Sequence, residues 1–312
     1  MQVLDAATIR TRLPWPRMLA ALDEALRSEV HAPLRVNHAV EVPGLPAASL
    51  LLMPAWRTGR HVGVKLVTVF PGHTTRGERS VSAVYVLFDA QNGVPVATLD
   101  GEELTARRTA GASAYAASRL ARRDARRLVM VGAGRLCPEL ITAHRHVRPI
   151  DDVVIWSRTI AHAEQTTEAC VRAGIPARAT ADLEDAVANA DIVSCATLST
   201  SPLVLGSWLA PGTHVDLVGA FKRHMRETDD AAMQRADLIV VDDRQAALAE
   251  GGDVAQAIAS GAIAASKVVA DLRDFARGTH SGRTRDDQVT VFKSVGFALE
   301  DLAAAEAVVA AG

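Results

Sequence analysis

The spacing of apolar residues changes along the first third of the chain. Over residues 16–30 they recur every three or four positions, as on one face of an amphipathic helix. The turn sequences Pro43-Gly44, Pro71-Gly72 and Gln91-Asn92-Gly93 punctuate the part that follows, and the last of them is typical of a hairpin. Consecutive strands with tight turns predict a mostly antiparallel sheet, and hence an α+β fold for this part. The predicted strands are residues 39–42, 48–53, 61–70, 82–88 and 94–99.

The second part of the chain alternates strands with helices. A helix is predicted over residues 102 to about 123, and short strands near 127–131, 152–156, 176–179, 191–195, 213–218 and 237–241. These strands are apolar throughout, as a parallel sheet covered on both faces requires. The alternation predicts a doubly wound parallel sheet, so the fold class is α/β. An extended run at residues 289–292 and a helix over 294–309 form a tail that we expect to return to the first part.

A glycine-containing turn, VGAGRLC at residues 131–137, joins the first parallel strand to the next helix. Gly132 permits a tight turn, and Gly134 lets the backbone approach a pyrophosphate at the positive end of that helix. Cys137 is a small side chain at the third position of the fingerprint, where Gly or Ala is usual. Two glycines alone are weak evidence, because tight turns use glycine everywhere. Their place between a strand and a helix nevertheless predicts a dinucleotide-binding, Rossmann-type unit.

Length and composition add limits to this picture. A chain of 312 residues favours two domains, which we assign to residues 1–112 with 295–312 and to residues 113–294. A net charge of −2 gives no basic excess for nucleic acid. No apolar run is long enough to span a bilayer and no leader precedes the first helix, so no membrane partner is expected. Three scattered cysteines are predicted to be buried thiols of a cytoplasmic protein: Cys137, Cys170 and Cys195.

The end of the second parallel strand indicates which nicotinamide is bound. Ser157-Arg158-Thr159 follows this strand, and no carboxylate is present there to accept from the ribose 2′-hydroxyl of NADH. An arginine beside hydroxyl groups suits the 2′-phosphate of NADPH. We therefore predict NADPH, with NADH as the second choice. The alternative interpretation of Arg158 is an ordinary surface arginine at a strand end.

Several segments together resemble the ornithine cyclodeaminase and mu-crystallin family over nearly the whole chain. They are GVK at 63–65, LTARRTA at 104–110, VGAG at 131–134, SRT at 157–159, GGD at 251–253 and FKSVG at 292–296. The segments LMPAW (52–56), SCATLST (194–200) and LVGAF (217–221) most resemble members that reduce Δ1-pyrroline-2-carboxylate and Δ1-piperideine-2-carboxylate. The resemblance implies hydride transfer from a nicotinamide to a cyclic α-imino acid, giving L-proline or L-pipecolate. It also implies a homodimer whose first domain forms the interface.

The same resemblance implies that the substrate carboxylate binds Arg35, Lys65 and Arg108, with the hydroxyl of Ser80 beside them. Lys65 interrupts an apolar strand, where an unpaired ammonium group is costly to bury; a lysine on an edge strand is the alternative. Arg108 lies near the start of a helix, where an anionic partner would relieve its unfavourable interaction with the dipole; an exposed helix arginine is the alternative. Because hydride addition needs a protonated imine, Lys65 is also the predicted proton donor.

One departure from the family concerns the substrate. Cyclodeaminase members carry an aspartate where this chain has Phe221, and a phenylalanine neither moves protons nor pairs with an amine. This departure favours a cyclic imine without a distal amine. Glu250 is predicted to face the substrate, with a helix-terminal carboxylate as the alternative. The resemblance implies as cofactor-binding residues Arg108, Gly132, Ala133, Gly134, Arg135, Leu136, Ser157, Arg158, Thr159, Thr197, Leu198, Val218 and Ser294.

The histidines do not indicate a metal site. His144 and His146 are two positions apart on a predicted helix and point to different faces, so no metal ion is predicted. Three other functions stay open: ornithine cyclodeamination, an alanine dehydrogenase type of activity, and a mu-crystallin-like protein that binds NADPH and a small carboxylate without turnover. Net consumption of NADPH with a cyclic imine would separate the proposed reductase from all three.

Overall fold

A computed structural model describes residues 1–70 and 80–312, so the turn predicted at Pro71-Gly72 lies outside the described residues. The chain divides into two compact units, Met1–Arg108 with Phe297–Gly312, and Thr109–Gly296. The unit boundaries therefore follow residues 108 and 296, against 112 and 294 in the assignment from sequence. Both units contain a sheet, and the two sheets differ in strand direction.

The first unit contains a six-stranded sheet in the order β1-β6-β5-β4-β3-β2, counted over the described residues. Its elements are β1 (Gln2–Leu4), α1 (Ala6–Arg12), α2 (Trp15–Arg27), β2 (Val36–Val40), β3 (Ala48–Arg57), β4 (His61–Val69), β5 (Val81–Asp89), β6 (Pro95–Asp100), the first part of α3 (Gly101–Leu120) and α11 (Ala298–Val309). Strand β1 pairs parallel with β6, and the other pairs are antiparallel. The predicted mostly antiparallel sheet is thus confirmed, and so is the hairpin turn, where Gly93 has a φ of 72°.

The two faces of this sheet have different surroundings. The register places Met53, Lys65, Tyr85 and Leu99 in one row across β3 to β6, and all four are buried. Helix α11 packs against β3 and β4, and α2 packs against α11, so these helices cover that face. The other face carries partly exposed apolar side chains from the alternate positions of the same strands.

The second unit contains an eight-stranded parallel sheet in the order β13-β12-β14-β11-β10-β7-β8-β9. Its elements after α3 are β7 (Arg127–Val131), α4 (Leu136–Val147), β8 (Asp152–Trp156), α5 (Ile160–Arg172), β9 (Ala177–Thr180), α6 (Leu183–Ala188), β10 (Ile192–Cys195), β11 (His214–Leu217), α7 (Asp230–Arg235), β12 (Leu238–Val241), α8 (Arg244–Glu250), α9 (Gly252–Ala259), β13 (Val268–Asp271), α10 (Leu272–Arg277) and β14 (Thr290–Lys293). The predicted α/β class and doubly wound parallel sheet are confirmed.

The expected return of the tail to the first part does not hold for its strand, which the assigned bounds of 113–294 include in the second part. Strand β14 does not return to the first unit; it pairs with β11 on one side and β12 on the other. All four of its residues are buried, because a strand at the centre of a parallel sheet is covered by neighbours and by both layers of helices. Only α11, which follows β14, belongs to the first unit.

Two expectations from composition have structural counterparts. The three cysteines are free and buried, as predicted from their scattered positions. Among the helices of the described chain, none combines the length and the apolar composition that a membrane-spanning segment needs.

Candidate functional site

A cavity of about 240 Å³ lies in the second unit at the carboxyl ends of β7, β8 and β10. Strand β7 is flanked by β8 on one side and β10 on the other, so the strand order reverses at β7. This is the position where open parallel sheets bind ligands. The lining residues are Gly132, Ala133, Gly134, Trp156, Ser157, Arg158, Ala196, Thr197, Leu198, Ser199 and Leu203.

The glycine turn in this cavity has the geometry that a pyrophosphate needs. Gly132 has a φ of 115°, and a Cβ built on it would lie 2.7 Å from the carbonyl oxygen of Ala196. A Cβ on Gly134 would meet no described atom within 4 Å, so the backbone there faces open space. Helix α4 begins at Leu136, and no side chain caps its N-terminus. Open glycine backbone and an uncapped helix N-terminus fit the phosphates of a dinucleotide.

The structure brings most of the predicted cofactor residues to this cavity. At the end of β8, Ser157 and Arg158 line it, and Arg158 is exposed with no ion-pair partner among the described residues. After β10, Thr197 and Leu198 line it, and Leu198 is 70% exposed. The predicted residues that do not line this cavity are Arg108, which belongs to the first unit, and Arg135, Leu136, Thr159, Val218 and Ser294. Val218 and Ser294 are buried, and the hydroxyl of Ser294 donates to Asp242 at 3.1 Å.

A buried acid, which sequence reasoning missed, supports the loop after β10. Oε1 of Glu227 accepts from both the backbone N and Oγ1 of Thr197, each at 2.7 Å. Burial raises the pKa of Glu227 to about 7, against the opposing charge of Lys293. Nζ of Lys293 lies 3.3 Å from Asp253, which is also fully buried. The sequence around Glu227 (RHMRETDD) is as polar as a solvated loop, so nothing in it signals a buried carboxylate.

The turn after β11 holds Phe221, one of the two residues predicted to face the substrate; the other, Glu250, ends α8. Ala220 has a φ of 48°, a left-handed conformation that no other described non-glycine residue adopts. Such strain of about 1–2 kcal/mol persists where the surroundings impose it. The carbonyl of Ala220 accepts from Gly252 N at 2.9 Å, which ties the turn to the start of α9. Phe221, which follows Ala220, and Glu250, which ends α8 two residues before Gly252, are both half-buried.

In the first unit, Lys65 is buried against a carboxylate of the chain itself. Nζ of Lys65 donates to Oδ1 of Asp301 at 2.9 Å, and the Lys65 side chain is 2% exposed. Strand β4 lies between β3 and β5, so the edge-strand interpretation of Lys65 is wrong. The expectation that its ammonium group needs an anionic partner is correct, and Asp301 supplies one.

Arg108 has the anionic partner expected from sequence, but the reason given there, an unfavourable interaction with the helix dipole, is wrong. Arg108 is the eighth residue of α3, beyond the first turn where the helix dipole acts. Its Nε donates to Oδ1 of Asp301 at 3.0 Å and its Nη1 to Oε2 of Glu300 at 2.6 Å. Arg108 is 5% exposed, so the exposed-arginine alternative is also wrong. Two buried carboxylates of α11 therefore bind the two buried cations.

Arg35 completes the predicted group of cations. Burial and then the charge of Arg108 lower the pKa of Lys65 to about 8; Asp301 opposes this shift, and the charge of Arg35 adds to it. Arg35 is half-buried just before β2. Arg108 and Arg35 thus both lie within electrostatic reach of Lys65. Ser80 is half-buried before β5, where its carbonyl oxygen accepts from Phe70 N at 2.7 Å.

Glu300 and Asp301 were missed by the sequence reasoning. Acidic residues in the first turn of a helix are ordinary, because they complement the dipole. The available signal was the composition of the helix around them. Apart from Glu300, Asp301 and Glu306, all residues from Ala298 to Val309 are apolar, as in a helix that is buried on all sides. Both side chains are 0% exposed.

The histidine spacing in the sequence led us to predict no metal ion. Among the described residues, no group of three His, Cys, Asp or Glu side chains is placed to hold a metal. His144 is instead fully buried, with Nε2 3.1 Å from Oδ2 of Asp216 on β11.

Comparisons with known proteins agree with this arrangement. The model of the ornithine cyclodeaminase/mu-crystallin family matches residues 2–311. A Δ1-pyrroline-2-carboxylate reductase of Paracoccus denitrificans is 42% identical over 260 residues, covering 83% of this chain and 82% of the relative. The structure of Thermococcus litoralis Δ1-pyrroline-2-carboxylate reductase in complex with NADH and L-proline has a TM-score of 0.92 at 28% identity, covering 100% of this chain and 97% of that one. An archaeal alanine dehydrogenase dimer with bound NAD has a TM-score of 0.90 at 28% identity, covering 100% and 95%.

Proposed function

Because the chain belongs to the ornithine cyclodeaminase/mu-crystallin family, we propose that it uses NADPH to reduce Δ1-pyrroline-2-carboxylate or Δ1-piperideine-2-carboxylate to L-proline or L-pipecolate. Its similarity in sequence and structure to named reductases identifies it as an NAD(P)H-dependent imine reductase. The imino acid ring and the choice of NADPH are the finer parts of the proposal. The observation that carries it is the buried cluster of Lys65 and Arg108 with Arg35 near Lys65, in a chain that also has a cavity lined by the glycine turn, Ser157 and Arg158.

The cations of the first unit recognise the substrate carboxylate. Lys65 and Arg108 are already held by Asp301, so little side-chain freedom is lost when the substrate binds. Fixing the carboxylate also fixes the adjacent imine carbon, and catalysis by this route is chiefly positioning. A pKa of about 8 leaves Lys65 mostly protonated near neutral pH but able to release its proton. Lys65 therefore protonates the imine nitrogen, which makes the imine carbon electrophilic.

The residues of the second unit bind the cofactor. The nicotinamide, when bound, supplies the hydride that adds to the imine carbon. Gly132, Gly134 and the N-terminus of α4 bind the pyrophosphate, while Ser157 and Arg158 bind the 2′-phosphate. Arg158 supports NADPH over NADH because it is exposed beside the cavity and no described carboxylate neutralises it.

Phe221 and Glu250 determine which imine is accepted. A half-buried phenylalanine contacts an apolar ring favourably but offers no partner for a distal ammonium group. This choice supports a cyclic imine over ornithine. Glu250, half-buried at the end of α8, faces the same substrate in this proposal.

The uncovered face of the first sheet supports a homodimer. Apolar side chains on this face are exposed, among them Val36 (46%), Trp56 (37%), Val62 (38%) and Val84 (38%). The register of β2 to β5 places all of them on the face opposite Lys65. A contiguous apolar face of this kind is unusual on a monomer and typical of an interface. We propose that two copies of the chain pack through it.

A substrate panel tests the proposed reaction. The purified chain is given NADPH or NADH with each cyclic imine, with pyruvate plus ammonia, or with ornithine, and nicotinamide absorbance and ammonia are followed. We expect steady NADPH oxidation with at least one cyclic imine, and slower oxidation of NADH.

Other outcomes of the panel identify the alternatives. Ammonia release from ornithine without net redox change would indicate a cyclodeaminase, and turnover confined to pyruvate plus ammonia would indicate an alanine dehydrogenase. Tight NADPH binding with no turnover on any substrate would indicate a binding protein. Each of these results would overturn the proposal.

A further inference from the structure

We propose that Asp301 is a positioning residue of the substrate site: one carboxylate binds Lys65 and Arg108 together and fixes the ammonium group of Lys65 where the substrate carboxylate and imine meet it. The inference rests on the proposed function and extends it to a residue on the last helix. It also assigns Asp301 a second task, which is to favour the protonated form of Lys65.

Three elements distant in sequence meet at the Asp301 carboxylate. Oδ1 of Asp301 accepts from Lys65 on β4 at 2.9 Å and from Arg108 on α3 at 3.0 Å, while Oδ2 lies 2.9 Å from Nζ of Lys65. Because both cations share this carboxylate, their separation is set by its dimensions. Glu300, the preceding residue, binds Nη1 of Arg108 but does not bind Lys65. The two carboxylates thus differ in one respect: only Asp301 contacts the proposed proton donor.

The pairing leaves donor capacity for a substrate. An ammonium group has three N–H donors; Oδ1 of Asp301 accepts from one of them, and Oδ2, which lies 2.9 Å from Nζ but makes no hydrogen bond with any described group, can take at most a second. Among the described residues, Lys65 has no hydrogen-bond partner other than Asp301. A buried donor without a partner is costly, so the third N–H favours an incoming carboxylate or imine.

The groups that face Lys65 determine its charge. Arg108 approaches from α3, Arg35 from the segment before β2 and Asp301 from α11, and Tyr85 is the neighbour of Lys65 on β5. Glu300 of α11 pairs with Arg108 instead. Burial and the two arginines lower the pKa of Lys65, and Asp301 is the opposing charge in contact with it. Replacing this carboxylate with a neutral group of the same shape must lower the pKa of Lys65 further, below about 8.

Product binding measures this effect without turnover. L-proline is titrated into the protein with saturating NADPH by calorimetry between about pH 6 and pH 9; both ligands are reduced, so no hydride moves. In the wild type we expect affinity to fall as pH rises through about 8, because Lys65 loses its charge. In Asp301→Asn the same fall should occur at least about one pH unit lower, and the alkaline decrease in kcat for imine reduction should move to lower pH by the same amount.

Two further variants make the result specific. Glu300→Gln removes a carboxylate that binds Arg108 but not Lys65. This variant should therefore weaken L-proline binding at every pH and leave the pH midpoint of binding unchanged. Asp301→Glu keeps the charge but moves it by one methylene group, so the midpoint should be retained while affinity falls at least about fivefold. Circular dichroism establishes that each variant is folded.

The outcomes separate the inference from the proposed function. A wild type that reduces the imine, with a midpoint in Asp301→Asn equal to its own, overturns the role of Asp301. If Asp301→Asn does not fold, wild-type affinity in Asp301→Glu overturns it equally. A wild type that neither binds L-proline nor reduces either imine overturns the proposed function instead.

Discussion

Lys65 combines binding and proton donation in this account, and one substitution separates the two. Lys65→Met removes the charge and the proton but keeps an unbranched side chain of similar length. We expect KM to rise and kcat to fall by roughly 10²–10⁴-fold, the usual contribution of a positioned acid. The measurement is steady-state kinetics with the preferred imine.

Lys267→Met, in a short 3₁₀ turn of the second unit, is the matched control and should change neither constant. If Lys65→Met kept the wild-type kcat and lost only affinity, the role as proton donor would be wrong and the role in carboxylate binding would stand.

Glu227 makes a second residue-level prediction, on stability. Its folded-state pKa, about 7, lies above the ordinary value of 4.5, so the folded protein holds a proton that the unfolded chain releases. Its contribution to stability is therefore lost as pH rises from about 4.5 to about 7. Glu227→Gln has no such proton, so relative to the wild type it should gain roughly 2 kcal/mol between pH 5 and pH 8.

Urea unfolding at both pH values measures this change. An equal difference between Glu227→Gln and the wild type at pH 5 and at pH 8 would show that Glu227 does not titrate between them. Because Oε1 of the glutamine can still accept from Thr197, NADPH binding should survive the substitution.

At the residue scale, sequence patterns located the cations and the glycines but not their buried acidic partners. Lys65 was visible because a charge in an apolar strand contradicts its surroundings, and Gly132 because backbone geometry demands glycine. Asp301 lies in an acidic first helical turn, and Glu227 in a run of charged residues, where a carboxylate contradicts nothing. Whether such a carboxylate is buried is decided by tertiary contacts.

Asp216 links four elements of the second unit. Its carboxylate accepts from Ser113 of α3 at 2.9 Å and from Ser194 of β10 at 2.7 Å, and it lies 3.1 Å from Nε2 of His144 on α4. Asp216→Asn replaces one acceptor oxygen with a donor that faces these donors. We expect a loss of about 3 kcal/mol in the free energy of unfolding, against about 1 kcal/mol for Ser113→Ala, which removes a single hydrogen bond.

The decrease in the free energy of unfolding at acid pH gives a second test of the role of Asp216. His144 and Ser194 lower the pKa of Asp216 against the effect of its burial. Its contribution is present above the ordinary pKa of 3.8 and is lost as pH falls through the lower folded-state value. Asp216→Asn should flatten this decrease; a variant as stable as Ser113→Ala would contradict the role of Asp216 as a link.

At the element scale, sequence periodicity was sufficient where an element is long or wholly apolar. Strands β7 and β8 lie at the predicted residues, because four consecutive apolar positions between turn signals have few alternatives. Strand β1 and the helix α1 were not predicted, since three and seven residues are too short to show a period. The domain bounds included β14 in the second part, but its place between β11 and β12 was not predicted, because adjacency in a parallel sheet does not follow chain order.

At the scale of the whole molecule, the uncovered sheet face predicts a dimer that charge should disrupt. The double variant Val62→Asp with Val84→Asp places two carboxylates on that face, where neither residue contacts the buried side of the sheet. We expect light scattering after size-exclusion chromatography to show a dimer for the wild type and a monomer for the variant. Val171→Asp, at a 53% exposed valine of α5, is the control and should remain dimeric. A monomeric wild type, or a dimeric double variant, would contradict this interface.

In the proposed reaction, a hydride moves from the nicotinamide to the imine carbon beside the substrate carboxylate. Its most direct measurement uses NADPH deuterated at C4 on the transferred side, Δ1-pyrroline-2-carboxylate, and mass spectrometry of the product. We expect L-proline carrying one deuterium at C2 for each NADPH oxidised. Proline without deuterium at C2, or oxidation of NADPH without proline, would contradict it.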